Sequence, residues 1–398
     1  MEMTALILLE YHFIKGKDGY IYCDRVIDYN YLERYLNVFN DIILCGRMTE
    51  TNEDCSKKLM VSGKNVYFVP IPDFQGIKGL LKNYYQIMKT VKAIIPKVQC
   101  CIMRAPNHLS LITYKLFRKK NLPFALEFNI AADKFIENQS VIGKFLNKWV
   151  VRRTKDMCMT ANGVSYVTNH ILQEDYPCKA MIDPDNKQYF TSSYSTIHLT
   201  DSMLYNQGWD EKERPQTIKI VHTGYMDSYR KGHITLLNSI KILVDKGYTN
   251  IQLILVGDGK KKEEFEKLVN DLNISNYVHF VGLIKKRDEM TNLLKDCHML
   301  VFPTHSEGLP RSIIEAMAVG LVCISSPVDG IPELLEDEML IDFNDALGYA
   351  NKVIELIEDW PKMIEISKKN RLLAENFRNE KLERKRTDFY KKLKSISH

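Results

Sequence analysis

No segment of this 398-residue chain carries an apolar run long enough to span a bilayer, so any membrane contact must be peripheral. The first ten residues lack a basic start and a small-residue cleavage site, which predicts no secretory signal and a cytoplasmic location. The nine cysteines are odd in number and contain no C-x-x-C pair, so they predict reduced thiols rather than a disulfide framework or zinc site. A large excess of one charge is missing too. With 55 basic and 50 acidic residues the net charge is +5, too little by itself to argue for nucleic acid as partner. Gly257-Asp-Gly259 lacks the third glycine of a dinucleotide fingerprint, because Lys262 stands in its place, and this disfavours a dehydrogenase.

What is present describes a soluble globular protein, 45% apolar and 26% charged, with enough chain for two full cores. The first half alternates apolar strands with helical stretches. Strands are expected at 5–9, 41–45, 66–69, 100–103, 124–128 and 164–168, and helices at 24–38, 79–94, 109–119 and 141–155. Such alternation predicts parallel βαβ units. Between Ser192 and Pro215 the periodicity fades, which marks a linker. A second series of strands then runs through 217–222, 251–256, 278–281, 299–303 and 321–325.

The most informative stretch is Val301–Gly320, a buried strand end, a polar loop and a helix opening near Pro310 or Arg311. Unpaired backbone N–H groups of Arg311, Ser312 and Ile313, with the helix dipole behind them, make an anion site suited to a phosphate. Glu307 in the loop and Glu315 one turn into the helix flank it, and carboxylate oxygens match a sugar or ribose diol. Phosphate donors beside diol acceptors describe a site for a nucleotide sugar.

The run Glu307-Gly-Leu-Pro-Arg-Ser-Ile-Ile-Glu315 resembles the Glu-seven-residues-Glu signature of retaining family-4 glycosyltransferases of the GT-B fold. That resemblance implies an α/β architecture of two Rossmann-like domains facing a cleft, an acceptor domain over 1–205 and a donor domain over 206–376. A C-terminal helix over 377–398 would cross back to the first domain. The turn Thr223-Gly224-Tyr225 through Arg230-Lys231-Gly232 is similar to the family's glycine-rich turn, whose lysine reaches the donor diphosphate. Tyr225 replaces the family's usual arginine, and Arg230 is the candidate to compensate. By the same resemblance the donor site comprises Gly224, Arg230, Lys231, Gly282, Glu307, Gly308, Leu309, Pro310, Arg311, Ser312 and Glu315, with no cofactor beyond a UDP- or GDP-linked substrate. Lys231, Glu307 and Glu127 carry catalysis in this reading, with Asp133 a further candidate near the reacting carbon.

Acceptor contacts fall to the first domain. Gly16 and Gly19 lie in a loop expected between a strand and a helix, and His108 opens a helix after a strand. Asp183-Pro-Asp185 reads as a turn, not a metal site. Lys144–Lys155 is either a core-facing helix with a solvated basic side or a basic amphipathic helix that docks on anionic lipid. The expected activity is metal-independent, retaining transfer of a sugar to a saccharide or lipid-linked saccharide in bacterial surface polysaccharide synthesis. The alternatives are a nucleotide-sugar epimerase on the same fold and a non-catalytic partner protein.

Overall fold

A parallel sheet buries both of its faces, so its strands are nearly all apolar and helices must cover each side. The computed structural model describes residues 3–24, 27–132, 141–204 and 214–397, and it shows two units built on that principle. One unit comprises Met1–Tyr194 with Leu382–His398, and the other Ser195–Lys381. The division after Tyr194 falls earlier than residue 205, and the return to the first unit begins at Leu382 rather than 377. Asp133 lies outside the described residues.

In the first unit the strands are β1 (Thr4–Lys15), β2 (Ile21–Cys23), β3 (Asp41–Glu50), β4 (Leu59–Met60), β5 (Val66–Ile71), β6 (Cys100–Ala105), β7 (Phe124–Phe128), β8 (Gly163–Tyr166) and β9 (Phe190–Ser193). The parallel body runs β5-β3-β1-β6-β7-β8-β9. Its helices are α1 (Tyr29–Leu36), α2 (Gly76–Ile94), α3 (His108–Lys119), α4 (Val141–Thr160), α5 (Ile171–Asp175) and α6 (Lys179–Ile182). Helix α3 lies between α2 and α4.

One expectation fails here. β1 does not stop near Leu9 but continues to Lys15 and pairs antiparallel with β2, so Gly16 and Gly19 close a β-hairpin instead of a strand-to-helix loop. The reason is apolar: Phe13 and Ile14 are buried, and a register shift against β3 between Leu8 and His12 lets the strand carry on. The hairpin turn is closed by Gly19 N–H donating to the Gly16 carbonyl at 3.0 Å and by the Tyr22 hydroxyl donating to Asp18 at 2.6 Å.

The second unit holds β10 (Ile218–Thr223), β11 (Ile251–Val256), β12 (Val278–Gly282), β13 (Met299–Phe302) and β14 (Val322–Ser325), all parallel in the order β12-β11-β10-β13-β14. Order reverses beside β10, and open α/β sheets bind ligands at the carboxyl ends of strands where that happens. Helices α7 (His233–Asp245), α8 (Lys262–Asp271), α9 (Arg287–Lys295), α10 (Arg311–Ala318), α11 (Ala346–Glu358) and α12 (Trp360–Ala374) cover the sheet. The last helix, α13 (Asn379–Ser395), packs into the first unit, where Phe389 meets Phe190 at 5.1 Å and Tyr390 meets Tyr35 at 5.2 Å between ring centres.

Candidate active site

Two loops at the carboxyl ends of neighbouring strands β10 and β13 build the site, and specific backbone contacts hold them together. After β10, a short 3₁₀ turn spans Tyr229–Lys231, and Gly232 follows at φ 73°. A Cβ at Gly232 would lie 1.8 Å from the Pro303 carbonyl oxygen, so only glycine lets this turn press against the end of β13. The Arg230 carbonyl then accepts from His305 N–H at 2.8 Å and from the Thr304 hydroxyl at 3.2 Å. These bonds carry Lys231 to Glu307. The ammonium and the carboxylate form an ion pair, each side chain more than four-fifths buried. The Glu307 N–H donates to Asp329 at 2.6 Å, which fixes that carboxylate-bearing loop in turn.

The Gly257-x-Gly259 pair acquires a purpose in the same way. A Cβ at Gly257, φ 149°, would lie 1.9 Å from the Gly224 carbonyl oxygen. The turns after β10 and β11 thus meet backbone to backbone.

Helix α10 starts at Arg311, with Pro310 in extended geometry just before it and no side chain capping its N-terminal N–H groups. Ile313, Ile314 and Met317 are fully buried on its inner face. Full burial of each such side chain contributes about 1.5–3 kcal/mol, which fixes where the helix N-terminus points. Glu315 follows one turn on. Burial pushes its carboxyl above the usual range, while Arg311 and Arg287 oppose that shift.

Lys231, Glu307, Pro310, Arg311, Ser312 and Glu315 line a single cavity of about 560 Å³, together with Gly224 and Tyr225. The structure therefore brings the lysine, both glutamates and the helix N-terminus into one place. Beneath Lys231 the bed is aromatic: its Nζ lies 5.2 Å from the Phe302 ring centre, and His222 packs on Phe302 at 5.2 Å. His222 and His233 meet edge to face at 4.5 Å. Burial lowers their pKa values to about 4 and about 2, so both stay neutral at physiological pH.

Several expected residues stand elsewhere. Arg230 does not line the cavity; its side chain is exposed and its carbonyl does the work, because the next residue along a turn faces another way. Gly282, Gly308 and Leu309 are also outside the lining. The Gly282 carbonyl accepts from Gly257 N–H at 2.9 Å and the Gly308 carbonyl from Gly330 N–H at 2.9 Å, so these glycines shape loops behind the cavity. Conversely, Lys285, Lys286 and Arg287 line it without having been anticipated, with Met203, Met290 and Leu294. A Lys-Lys-Arg run just past a strand's carboxyl end was the available signal.

In the first unit, His108 opens α3, where Asn107 and Ser110 form a reciprocal capping box. Its Nδ1 lies 2.7 Å from Glu10 Oε1 at the sheet's carboxyl edge. Glu127, the other expected catalytic residue, sits among buried partners. It is buried, receives hydrogen bonds from the Tyr35 and Tyr390 hydroxyls, and has Arg104 at 3.5 Å. A carboxylate ending a buried strand needs partners, and here α13 supplies one of them. These contacts tie the last helix to the sheet.

The two α/β units have the fold of GT-B glycosyltransferases. Residues 209–373 match the family described as glycosyl transferases group 1. The chain is similar over nearly its whole length to Protein CapJ of Staphylococcus aureus, 25% identical over 98% of this chain and 96% of that one. A shorter region is 31% identical to the Escherichia coli UDP-Gal:alpha-D-GlcNAc-diphosphoundecaprenol alpha-1,3-galactosyltransferase, covering 29% of this chain and 30% of that protein. Among solved structures, Anabaena HepE in complex with UDP superposes with a TM-score of 0.66 at 15% identity, covering 99% of this chain and 100% of HepE. These likenesses support a glycosyltransferase enzyme, with the group 1 family match lying within the second unit.

Proposed function

We propose that the protein transfers a sugar, with retention of configuration and without a metal ion, from a nucleotide sugar to a saccharide or lipid-linked saccharide acceptor in bacterial surface polysaccharide synthesis. The observation that carries this reading is the meeting of Lys231, Glu307 and the start of α10 in one cavity. As the bond between sugar and phosphate breaks, negative charge grows on the leaving diphosphate. The ammonium of Lys231 and the N–H groups of Arg311 and Ser312 are already aimed at that place, and such preorganised groups stabilise a transition state without reorganising. Glu307, paired with Lys231, turns an oxygen to the sugar hydroxyls, and Glu315 accepts from the ribose diol. The acceptor oxygen attacks from the leaving-group face and its proton passes to the departing phosphate oxygen, so no protein nucleophile is required.

The acceptor side of the proposal draws on the E. coli relative, whose name specifies a diphosphoundecaprenol-linked acceptor. It also draws on the first unit's surface. The buried face of α4 is Val150, Thr154, Met157 and Cys158, whereas Phe145 (72% exposed) and Trp149 (44%) stand outward among Lys144, Lys148 and Arg152. Arg153 is not part of the free basic face, since it donates to the Leu111 carbonyl at 2.7 Å and lies over Trp149 and Tyr114. On α2, Leu81, Tyr84 and Tyr85 are exposed as well. Aromatics at an interface with lysines around them suit an anionic bilayer surface. Binding to phosphatidylglycerol vesicles should be lost when Phe145 and Trp149 are changed to Ser; equal binding removes the membrane contact.

Incubation with a panel of nucleotide sugars, with and without a polyprenyl-diphosphate sugar, tests the whole. Released nucleoside diphosphate with an α-linked product supports transfer with retention. An epimerised nucleotide sugar identifies an epimerase, and no turnover with any donor identifies a non-catalytic protein.

A further inference from the structure

The cavity has two halves of different chemistry. The half described above is charged. The other supplies most of the apolar surface, with Leu283 and Ile284 from the β12–α9 connection, Met290 and Leu294 from α9, and Met203, beside the basic run Lys285-Lys286-Arg287. Met203 comes from the stretch whose periodicity marks it as a linker, and it would not be sought in a binding site. It is 4% exposed and ends a 3₁₀ turn at Asp201–Met203.

This stretch is anchored at several points within the second unit. Leu199 bridges to Arg378, and its carbonyl accepts from Asn379 N–H at 2.8 Å. The Arg378 guanidinium pairs with Asp201, Lys295 Nζ donates to the Ser202 carbonyl at 3.4 Å, and Met203 N–H donates to the Thr200 carbonyl at 3.0 Å. Those contacts hold the thioether across the slot from α9 before any ligand arrives.

We infer that Met203 is a donor-binding residue, its thioether closing one side of the slot that takes the nucleobase of a nucleoside diphosphate. The inference rests on the donor site proposed above. With the phosphates at Lys231 and the start of α10 and the ribose at Glu315, the base is left with the part of the cavity where Leu283, Ile284, Met290, Leu294 and Met203 offer apolar surface. A base is flat and π-faced, and polarizable methionine sulfur packs well on such faces. The segment leading into the donor domain is thus itself part of the donor site.

Calorimetric titration with UDP and GDP, plus pyrophosphate as a competitor, tests this in the full chain. Met203→Ala and Met203→Gln should weaken the nucleoside diphosphate by roughly tenfold, the loss expected for removing one apolar side chain's burial. Pyrophosphate affinity should not change, which also shows that the fold is intact, and Met203→Leu should retain most of the nucleotide affinity. Unchanged nucleoside diphosphate binding in both variants would overturn the inference while leaving the donor site standing. Equal weakening of both ligands would overturn it as well, because a base contact cannot act on pyrophosphate. Wild-type protein that binds neither UDP nor GDP would instead overturn the donor reading.

Discussion

Replacing Lys231 by Met removes the ammonium while keeping most of the side-chain volume over Phe302. Two consequences follow from its surroundings. Glu307 loses its cation in a site where the carboxylate is only 14% exposed, and breaking a buried pair by removing one partner costs about 3–5 kcal/mol, an upper bound here because some water reaches the pair. The thermal midpoint should therefore fall, and Lys231→Met with Glu307→Gln should recover much of the loss, since a neutral amide no longer needs a counter-charge. Activity should behave differently. A charge-assisted hydrogen bond to phosphate contributes about 1.5–3 kcal/mol, so nucleoside diphosphate affinity should drop at least about tenfold. Charge on the diphosphate grows as the bond breaks, so kcat should fall by about 10²–10³. The double variant should stay as inactive as the single one. Nucleoside diphosphate release in a coupled assay, beside thermal denaturation of both variants, measures all of this. A Lys231→Met enzyme with kcat within threefold of wild type would refute the role given to the lysine.

Three further outcomes are expected. Glu315 has its pKa raised by burial, so it takes up a proton as pH falls through a range above that of ordinary carboxylates; nucleoside diphosphate affinity should fall over that range in the wild type and lose that component in Glu315→Gln, read by titration at several pH values. His222 is held neutral with a pKa near 4, so the unfolded chain binds its proton first below pH 6.5. Stability should then decline on the order of 1 kcal/mol per pH unit from pH 6.5 toward 4, and His222→Phe should flatten that slope in denaturant melts. Glu127→Gln should lower the thermal midpoint, because Tyr35, Tyr390 and Arg104 lose a charged partner, while KM for the donor stays within about twofold; a selective loss of kcat with unchanged stability would return Glu127 to the chemistry.

The convergence of Lys231, Glu307 and the start of α10 was readable because local signals and tertiary geometry agree there. The Glu-Gly-Leu-Pro run, an apolar stripe at 313, 314 and 317, and a Lys-Gly turn after a strand each specify backbone that the fold then uses. Residues whose identity reports a neighbour in space were hidden. Gly232 answers to Pro303 and Gly257 to Gly224, contacts with no trace in spacing. Glu127 looked chemical because charge is rare at a buried strand end, yet its partners lie as far away as Tyr390 in sequence. The hairpin at Gly16–Gly19 was legible and misread: Phe13-Ile14 and Ile21-Tyr22 flank a Gly-containing turn, a pattern that favours two antiparallel strands. Met203 had no signal, since one methionine in a polar linker acquires its meaning only from the α9 side chains across the cavity.

The most direct test is a crystal structure of the protein with a bound nucleoside diphosphate. The diphosphate should lie between Lys231 Nζ and the N–H groups of Arg311 and Ser312, with the ribose on Glu315; a diphosphate bound away from Lys231 and the start of α10 would contradict the central claim.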